Sequence, residues 1–387
     1  MTLTIAMVAG EASGDLLAGL LLGGLTQKLP ELDAFGIGGP HMAEHGFRID
    51  WPMEKLAVRG YVEVLRHYPE IAAIRRSLRQ RLMAHPPRAF IGIDAPDFNL
   101  DLELALRGRG IPTLHFVSPS IWAWRKERIE KIRRAVDHML VLLPFEESLY
   151  REAGIPATYV GHPLAEVIPE QPDRAAARAQ LGLSNAGSVA ALLPGSRLSE
   201  IRHIAPLFLA AASLVHARDP SIQFIVPTAT QETRRLFEAQ IRHQHREDLP
   251  VTVLEGRSHL ALAACDAALV ASGTATLETA LFKRPMVIAY HMTYVSWLIM
   301  RRMGYLPWVG MPNILAREFL VPEFLQAAAT PIALAEALMF QLFDNKNRAY
   351  LEERFLEMHH ALRRDTAKTA ADVVASIVSG ETSVGPS

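Results

Sequence analysis

The strongest constraint on the fold is a series of short apolar runs that recur along the whole chain and end in Gly, Pro or Asp. Segments with helical periodicity separate them, for example IAAIRRSLRQRLM at 71–83 and APLFLAAASLVH at 205–216. Continuous apolar runs are typical of parallel strands buried on both faces, with helices as crossover connections. Each half of the chain carries one such series. The sequence therefore predicts an α/β protein with two Rossmann-like, doubly wound domains that face a central cleft.

The domain boundary is predicted at residues 166–174 (EVIPEQPDR), where three acids and two prolines interrupt the pattern. We predict an N-terminal domain over 1–168 and a C-terminal domain over 175–345. Helices over 346–379 are expected to return to the N-terminal domain, and the polar residues 380–387 are expected to form a disordered tail.

Composition narrows the class of protein. The chain has 387 residues, half of them hydrophobic, which is too many for one core. A net charge of −1 argues against a nucleic-acid partner, and the single cysteine, Cys265, fits a reducing compartment without disulfides. The start, MTLTIAMVAGEASGD, lacks the basic region of a signal peptide, and no apolar run of about 18 residues is apparent. We expect a cytoplasmic protein without a membrane span.

The first strand-like run ends in the glycine-rich turn GEASGD at 10–15. Its glycines permit a tight turn, and Ser13 or Asp15 is placed to cap the following helix. The turn is neither a dinucleotide fingerprint nor a Walker A loop, because GxGxxG and GK[ST] are absent. A structural turn and a ligand-binding turn around Ser13 and Gly14 both remain open.

A more specific turn follows the run SVAALL in the second half of the chain. Gly195, Ser196 and Arg197 stand between that run and a predicted helix. Backbone amides at a helix start attract an anion, and an arginine adds a bidentate fork for phosphate. We favour phosphate contact over an exposed turn arginine.

The run AALVA ends in a turn of the same kind, made of Ser272, Gly273 and Thr274. Glu278 lies one helical turn beyond Thr274 on the same face, where a carboxylate can bind ribose hydroxyls. The alternative is a simple helix cap with a solvated glutamate. Two such turns in one half of the chain favour a nucleoside diphosphate site.

The run AFIGI at 89–93 ends in two acids, Asp94 and Asp97, separated by Ala-Pro. The two acids either form an Asx-type surface turn or supply a general base to a cleft. We favour Asp94 as the base and Asp97 as a supporting residue. No DxD pair follows a strand, so a metal held by paired acids is not indicated, and we expect no cofactor.

Two segments combine basic or aromatic residues in a way that structure or binding explains equally well. Residues 55–134 contain 16 Lys/Arg against 8 Asp/Glu, and residues 290–313 mix five Tyr and Trp with Arg301 and Arg302. The basic segment is either a set of solvated helix faces or a surface for phosphates or an anionic membrane. The aromatic segment either packs in a core or contacts a membrane surface. Asn313, after a proline turn, is placed to reach the cleft.

Taken together, the motifs resemble those of the lipid-A-disaccharide synthase family of glycosyltransferases. They occur in the family's order and cover nearly the whole chain. The matching segments are VAGEASGD, GIDAPDFN, VSPSIWAWR (117–125), LLPFE (142–146), VGHP (160–163), LLPGSR, ASGTATLE and MPN (311–313).

The resemblance implies a GT-B fold whose last helix returns to the first domain. It implies an inverting, metal-independent transfer from UDP-2,3-diacylglucosamine to 2,3-diacylglucosamine 1-phosphate (lipid X). The products would be the β-1,6-linked lipid A disaccharide 1-phosphate and UDP. Because both substrates carry acyl chains, the implied partners include the anionic cytoplasmic face of the inner membrane, with peripheral association. A homodimer is left open.

The resemblance also implies residue roles. Asp94 would be the base or an essential carboxylate, and Arg197 and Asn313 would be important polar groups. Residues 13–14 would lie near the diphosphate or donor sugar, and residues 272–278 would form the UDP site.

Two rival functions stay open on the sequence. One is another enzyme of the same fold, a UDP-N-acetylglucosamine 2-epimerase or a peptidoglycan-type transferase. The other is a nucleotide-sugar or lipid binding protein without turnover, which would not need the Asp94 base.

Overall fold

The computed structural model describes residues 3–56, 61–291 and 306–380, with the side chains of residues 61–66 left aside. The chain divides into two compact units, the first made of residues 1–166 and 361–387 and the second of residues 167–360. The helix Asn345–Leu362 belongs almost entirely to the second unit, so the chain re-enters the first unit at 361, later than the predicted 346.

The described part of the first unit contains a seven-stranded parallel sheet. Its strands are β1 (Leu3–Ala9), β2 (Leu32–Gly38), β3 (Arg48–Pro52), β4 (Ala89–Ile93), β5 (Thr113–Phe116), β6 (His138–Val141) and β7 (Ala157–Tyr159). The strand order is β3-β2-β1-β4-β5-β6-β7, so the winding reverses between β1 and β4.

The described part of the second unit contains a six-stranded parallel sheet. Its strands are β8 (Val189–Leu193), β9 (Gln223–Thr228), β10 (Val251–Glu255), β11 (Ala267–Ala271), β12 (Met286–Tyr290) and β13 (Glu323–Leu325). The order is β10-β9-β8-β11-β12-β13, with the reversal between β8 and β11. The apolar runs of both series become strands, among them AFIGI (β4), SVAALL (β8) and AALVA (β11). The edge strands β3 and β13 carry no such run and were not predicted.

Helices connect the strands and cover the sheets. In the first unit and at its boundary they are α1 (Ala12–Lys28), α2 (Pro40–Ala43), α3 (Tyr61–Ala84), α4 (Pro96–Arg107), α5 (Arg128–Ala135), α6 (Glu146–Glu152) and α7 (Leu164–Val167). The second unit and the C-terminal segment contribute α8 (Arg174–Gln180), α9 (Leu198–Arg218), α10 (Gln231–His243), α11 (Ser258–Ala264), α12 (Thr274–Leu281), α13 (Met311–Ala316), α14 (Pro331–Phe343), α15 (Asn345–Leu362) and α16 (Thr366–Ser379).

The central strands are apolar throughout because helices cover both faces of each sheet. Alternate residues of β1 enter two different cores. Ile5 and Met7 pack with α1 and α16 on one face, and Ala6 and Val8 pack with α3 and α4 on the other. The predicted fold class, two doubly wound α/β units, is confirmed.

All four predicted turns lie where the winding of a sheet reverses. The turn after β1 carries residues 10–15, and the turn after β4 carries Asp94. In the second unit, residues 195–197 follow β8 and residues 272–274 follow β11. Such switch points, beyond the carboxyl ends of the strands, are where open parallel sheets bind ligands.

Helix α9 is long and apolar enough to cross a membrane by length and composition, with a mean hydropathy of 1.3. The sequence was expected to contain no such segment. The middle of this helix is long and apolar because its charged residues lie near its two ends. Ile201, Phe208 and Val215 on this helix are fully buried in the core of the second unit, which identifies α9 as a core helix.

Candidate functional site

Asp94 occupies a strained turn directly after β4. Its φ is 51° and that of Ala95 is 42°, a left-handed conformation that L-residues rarely adopt and that is concentrated at functional sites. Asp94 N donates to Phe116 O at 2.9 Å, and Nδ2 of the buried Asn99 donates to Asp94 O at 2.9 Å. The neighbouring strand and the following helix thus fix the backbone that carries the Asp94 carboxyl.

The surroundings of Asp94 favour its protonated form. Burial raises the pKa of its carboxyl above the ordinary value, and the nearby carboxylate of Glu11 raises it further. The Ala95 N–H and the His115 side chain act in the opposite direction. A carboxyl whose pKa lies closer to neutrality is a better general base than an ordinary aspartate.

Asp97 does not support Asp94 as the sequence predicts. Its side chain is 84% exposed, and Oδ1 accepts a 2.6 Å hydrogen bond from Arg128 Nη2. It does not cap α4 either, since the N-cap residue is Ala95. The structure gives the supporting position to Asn99, which the sequence did not single out.

The GEASGD turn packs directly against the Asp94 turn. A Cβ at Gly10 would lie 2.9 Å from that of Ala95, so only glycine permits this approach. Asp15 is fully buried and accepts three backbone N–H groups at the start of α2, at 2.8 to 3.2 Å, so it caps α2 instead of α1. Ser13 is exposed in the first turn of α1, and Gly14 is buried against the end of β4.

The turn after β8 is closed by its own glutamate. The backbone N–H groups of Ser196 and Arg197 donate to Glu200 Oε2 at 2.9 and 3.1 Å. Gly195 has a φ of 110° and leaves room for that carboxylate, since a Cβ would lie 2.4 Å from the same oxygen. The amides that the sequence predicts to be open for an anion are therefore engaged. The Arg197 side chain is 63% exposed, and its Nη1 lies 3.7 Å from Oε1 of the same glutamate. Phosphate contact by this guanidinium stays a prediction.

The turn after β11 is open. Gly273, the N-cap of α12, has a φ of 143°, and no described atom lies within 4 Å of the position a Cβ would take. Ser272 N donates to Ala289 O and its hydroxyl donates to Val309 O, each at 3.2 Å. Thr274 is exposed. Since the first N–H groups of a helix have no partner within it, this turn is the better anion site of the second unit.

Glu278 lies on the face of α12 that begins at Thr274 and is half-buried. Burial raises the pKa of its carboxyl, and the neighbouring His259 lowers it. His259 is itself held against the ring of Phe282, with centroids 5.3 Å apart. Glu278 lies one helical turn beyond Thr274, and ribose binding by its carboxyl stays a prediction.

Asn313 is a structural residue. It is fully buried, and its Nδ2 donates to Val321 O and to Glu323 Oε1, both at 2.8 Å, while Oδ1 accepts from Val321 N at 2.9 Å. The Glu323 carboxylate also accepts the N–H groups of Val309 and Gly310 at 2.9 Å. The side chain predicted to reach a substrate is therefore used to hold the loop before α13.

Two buried glutamates of the first unit were not identified from the sequence as site residues. Glu103 lies 2.7 Å from His115 Nδ1, and both side chains are fully buried. Asp101, two residues earlier on α4, is the acid closest to Glu103 in sequence, and it is exposed and paired with Arg75 at 3.0 Å. Among the described residues, no cluster of three or more His, Cys, Asp or Glu is arranged to hold a metal ion.

Glu146 is the second buried glutamate, and it links two of the motifs quoted above. Its Oε1 accepts from Trp122 Nε1 at 2.8 Å and its Oε2 from Leu143 N at 3.0 Å. Burial raises the pKa of this carboxyl to about 7. The signal in the sequence was an acid placed directly after the apolar run of β6.

The aromatic and basic segment lies mostly outside the described residues, including Tyr294, Trp297, Arg301, Arg302 and Tyr305. Its described ends are Tyr290, half-buried at the end of β12, and Trp308, whose ring lies 6.1 Å from that of Phe319.

All the motifs quoted above lie within a match to one protein family. The family model described as lipid-A-disaccharide synthetase matches residues 5–377. The lipid-A-disaccharide synthases of Burkholderia mallei and Burkholderia thailandensis are each 56% identical over 377 residues, covering 97% of this chain and of theirs. That of Paraburkholderia phymatum is 54% identical, covering 97% and 96%.

Solved structures share the fold at low identity. UDP-GlcNAc 2-epimerase from Neisseria meningitidis, bound to UDP-GlcNAc, has a TM-score of 0.62 and 12% identity, covering 97% of this chain and 99% of that one. Acinetobacter baumannii MurG has a TM-score of 0.58 and 16% identity, covering 96% and 99%. At these identities the likeness shows the fold alone, which is of the GT-B type.

We predict that Asn313→Ala destabilises the second unit. The change leaves the half-buried Glu323 carboxylate and the buried backbone groups of Val321 short of partners, at about 1–3 kcal/mol per group. Urea denaturation should show a clearly lower midpoint, whereas the exposed Asn185→Ala should leave it within about 0.5 kcal/mol of wild type. A normal midpoint with lost activity would contradict the structural role and support substrate contact by Asn313.

We predict that Glu146 makes stability depend on pH. The folded pKa of about 7 lies above the ordinary 4.5, so the folded protein holds a proton that the unfolded chain releases. Its contribution to stability is full below pH 4.5 and is lost as the pH rises to about 7. Urea midpoints measured across this window should fall more steeply for wild type than for Glu146→Gln. Equal slopes would contradict the assignment.

Proposed function

Because the chain belongs to the lipid-A-disaccharide synthase family, we propose that Asp94 is the general base of its glycosyl transfer. The enzyme is a glycosyltransferase of lipid A biosynthesis. The observation that carries the proposal is the position of Asp94 at the switch point of the first sheet, in a strained turn where burial raises the pKa of its carboxyl. Backbone strain and shifted carboxyl pKa values are both concentrated at functional sites, and their coincidence at Asp94 supports the proposed role.

The proposed donor is UDP-2,3-diacylglucosamine, and the acceptor is 2,3-diacylglucosamine 1-phosphate. Asp94 takes the proton of the acceptor 6-hydroxyl as that oxygen attacks the anomeric carbon. The bond to UDP breaks in the same step, through an oxocarbenium-like state of the kind known from glycoside chemistry. One displacement inverts the anomeric carbon and gives the β-1,6-linked disaccharide phosphate and UDP.

The residues proposed to bind the UDP-sugar donor lie mainly in the second unit. The backbone N–H groups of Gly273 and Thr274, in the open turn after β11, bind the diphosphate, and the exposed Arg197 supplies a guanidinium fork. Glu278 is the acceptor for ribose hydroxyls. The charge that develops on UDP as it leaves is stabilised by the same N–H groups and by Arg197. Residues 13–14 are assigned to the donor sugar side of the first unit.

We also propose that the enzyme works in the cytoplasm, bound peripherally to the inner membrane, since both substrates carry acyl chains. The exposed Trp124 supports this, because Arg125 and Arg128 lie over its ring at 4.6 and 5.7 Å. An aromatic ring flanked by arginines is typical of contacts with anionic headgroups.

Replacement of Asp94 is predicted to abolish most of the activity. Asp94→Asn keeps the shape but cannot accept the proton, so kcat for disaccharide formation should fall about 10²–10⁴-fold. Asp97→Asn is the matched control, three residues away with an exposed side chain, and should change kcat less than about threefold, because an exposed ion pair contributes little.

Two results would contradict this assignment. Equal losses in both variants would mean that the turn, and not the Asp94 carboxyl, is what catalysis needs. Full activity in Asp94→Asn would place the base elsewhere while leaving the family membership intact.

A further inference from the structure

We propose that the buried pair Glu103–His115, together with Asn99, forms a positioning network for the Asp94 base. The inference rests on the proposed function, because it assigns these residues through their effect on Asp94. None of the three touches a substrate in this account. They act on the turn that carries the base and on the charge that surrounds it.

The network lies directly beneath the Asp94 turn. All three side chains are fully buried. Glu103 Oε1 lies 2.7 Å from His115 Nδ1, which joins α4 to β5. One turn earlier on α4, Asn99 Nδ2 donates to Asp94 O at 2.9 Å. The same helix therefore carries both the contact to the base and the contact to the histidine.

A glycine in β4 makes room for the network. Gly92 stands opposite His115 in the parallel register. A Cβ at Gly92 would lie 2.2 Å from Glu103 Oε1 and 2.9 Å from Asn99 Cβ. The backbone of Gly92 is not left-handed, so its conformation does not require a glycine. The glycine is required because a larger residue would collide with Glu103 and Asn99.

Stability does not explain why the network is present. A buried ionisable pair is often no more stabilising than apolar residues of the same volume. Here one polar atom of each member has no hydrogen-bond partner among the described residues: Asn99 Oδ1, Glu103 Oε2 and His115 Nε2. Unsatisfied buried groups cost free energy, and such a cost directly under the base points to function.

Charge gives the network its effect on Asp94. The charged groups that act on Asp94 are Glu11, before α1, and His115, on β5; Glu11 raises the pKa of the Asp94 carboxyl and His115 lowers it. Burial raises the pKa of the Glu103 carboxyl, whereas His115 and Lys131 of α5 lower it. Glu103 fixes the position of the His115 ring through the 2.7 Å contact. In that position His115 lowers the pKa of the Asp94 carboxyl and so offsets part of the rise caused by burial and by Glu11.

The test is the pH dependence of kcat/KM for disaccharide formation. In His115→Gln and Glu103→Gln the acid limb, where Asp94 becomes protonated, should move to higher pH. In Glu11→Gln it should move to lower pH, because a repelling negative charge is removed. The two buried variants should also lose about ten- to hundredfold in kcat with little change in KM, as expected for a displaced base.

His138→Gln is the matched control. His138 lies on β6 of the same sheet and is bonded to Thr158 Oγ1 at 2.8 Å, so its loss should leave the acid limb in place. A purely structural defect lowers the active fraction at every pH and moves no limb. If Glu103→Gln fails to fold, the double variant Glu103→Gln/His115→Gln, whose two amides can bond to each other, carries the same prediction.

The outcomes separate this inference from the proposed function. An acid limb that is lost in Asp94→Asn but stays in place in His115→Gln, or in the double variant, overturns the positioning network alone. An acid limb that survives in Asp94→Asn overturns Asp94 as the base, and the network with it. Limbs that move in opposite directions for His115→Gln and Glu11→Gln support both.

Discussion

Strands β1 and β4 lie side by side, and the helices that follow them leave toward opposite faces of the sheet. Helix α1 packs into one core with α16, and α4 packs into the other with α3. The turns after β1 and β4 therefore meet at the switch point, where open parallel sheets bind ligands. The predicted base, its neighbour Glu11 and the network beneath it all depend on this one reversal of winding.

The same reversal in the second sheet gives two turns that differ in chemistry. The turn after β8 is closed by Glu200, so the group proposed to bind there is the exposed Arg197, which is itself 3.7 Å from the Glu200 carboxylate. The turn after β11 keeps its N-cap glycine open. A guanidinium on one side and backbone amides on the other together match a diphosphate better than two identical turns would.

Sequence reasoning located the strands and the four turns because continuous apolar runs are an unambiguous signal of buried parallel strands. It missed β3 and β13, which are short, half-exposed edge strands with no such run. It also chose Asp97 over Asn99. Two residues along a helix differ by about 200° in direction, so one faces solvent and the other faces the sheet. Which of the two residues faces the sheet depends on where α4 begins, and the residue types alone do not determine this.

Asn313 and the amides of 196–197 show a second limit. Polar groups in a turn look alike in sequence whether they bind a ligand or another residue of the chain. Here Glu323 and Glu200, ten and three to four residues further on, take those hydrogen bonds. Sequence spacing gave no reason to pair them, because the intervening backbone had to fold first.

The central claim is that Asp94 activates the hydroxyl of a sugar acceptor, and the most direct test is UDP release by the wild-type enzyme with and without that acceptor. With UDP-2,3-diacylglucosamine as donor, we predict release only when 2,3-diacylglucosamine 1-phosphate is present, with one disaccharide formed for each UDP. Release at the same rate without the acceptor lipid would contradict the account, because Asp94 would then be activating water or no nucleophile at all.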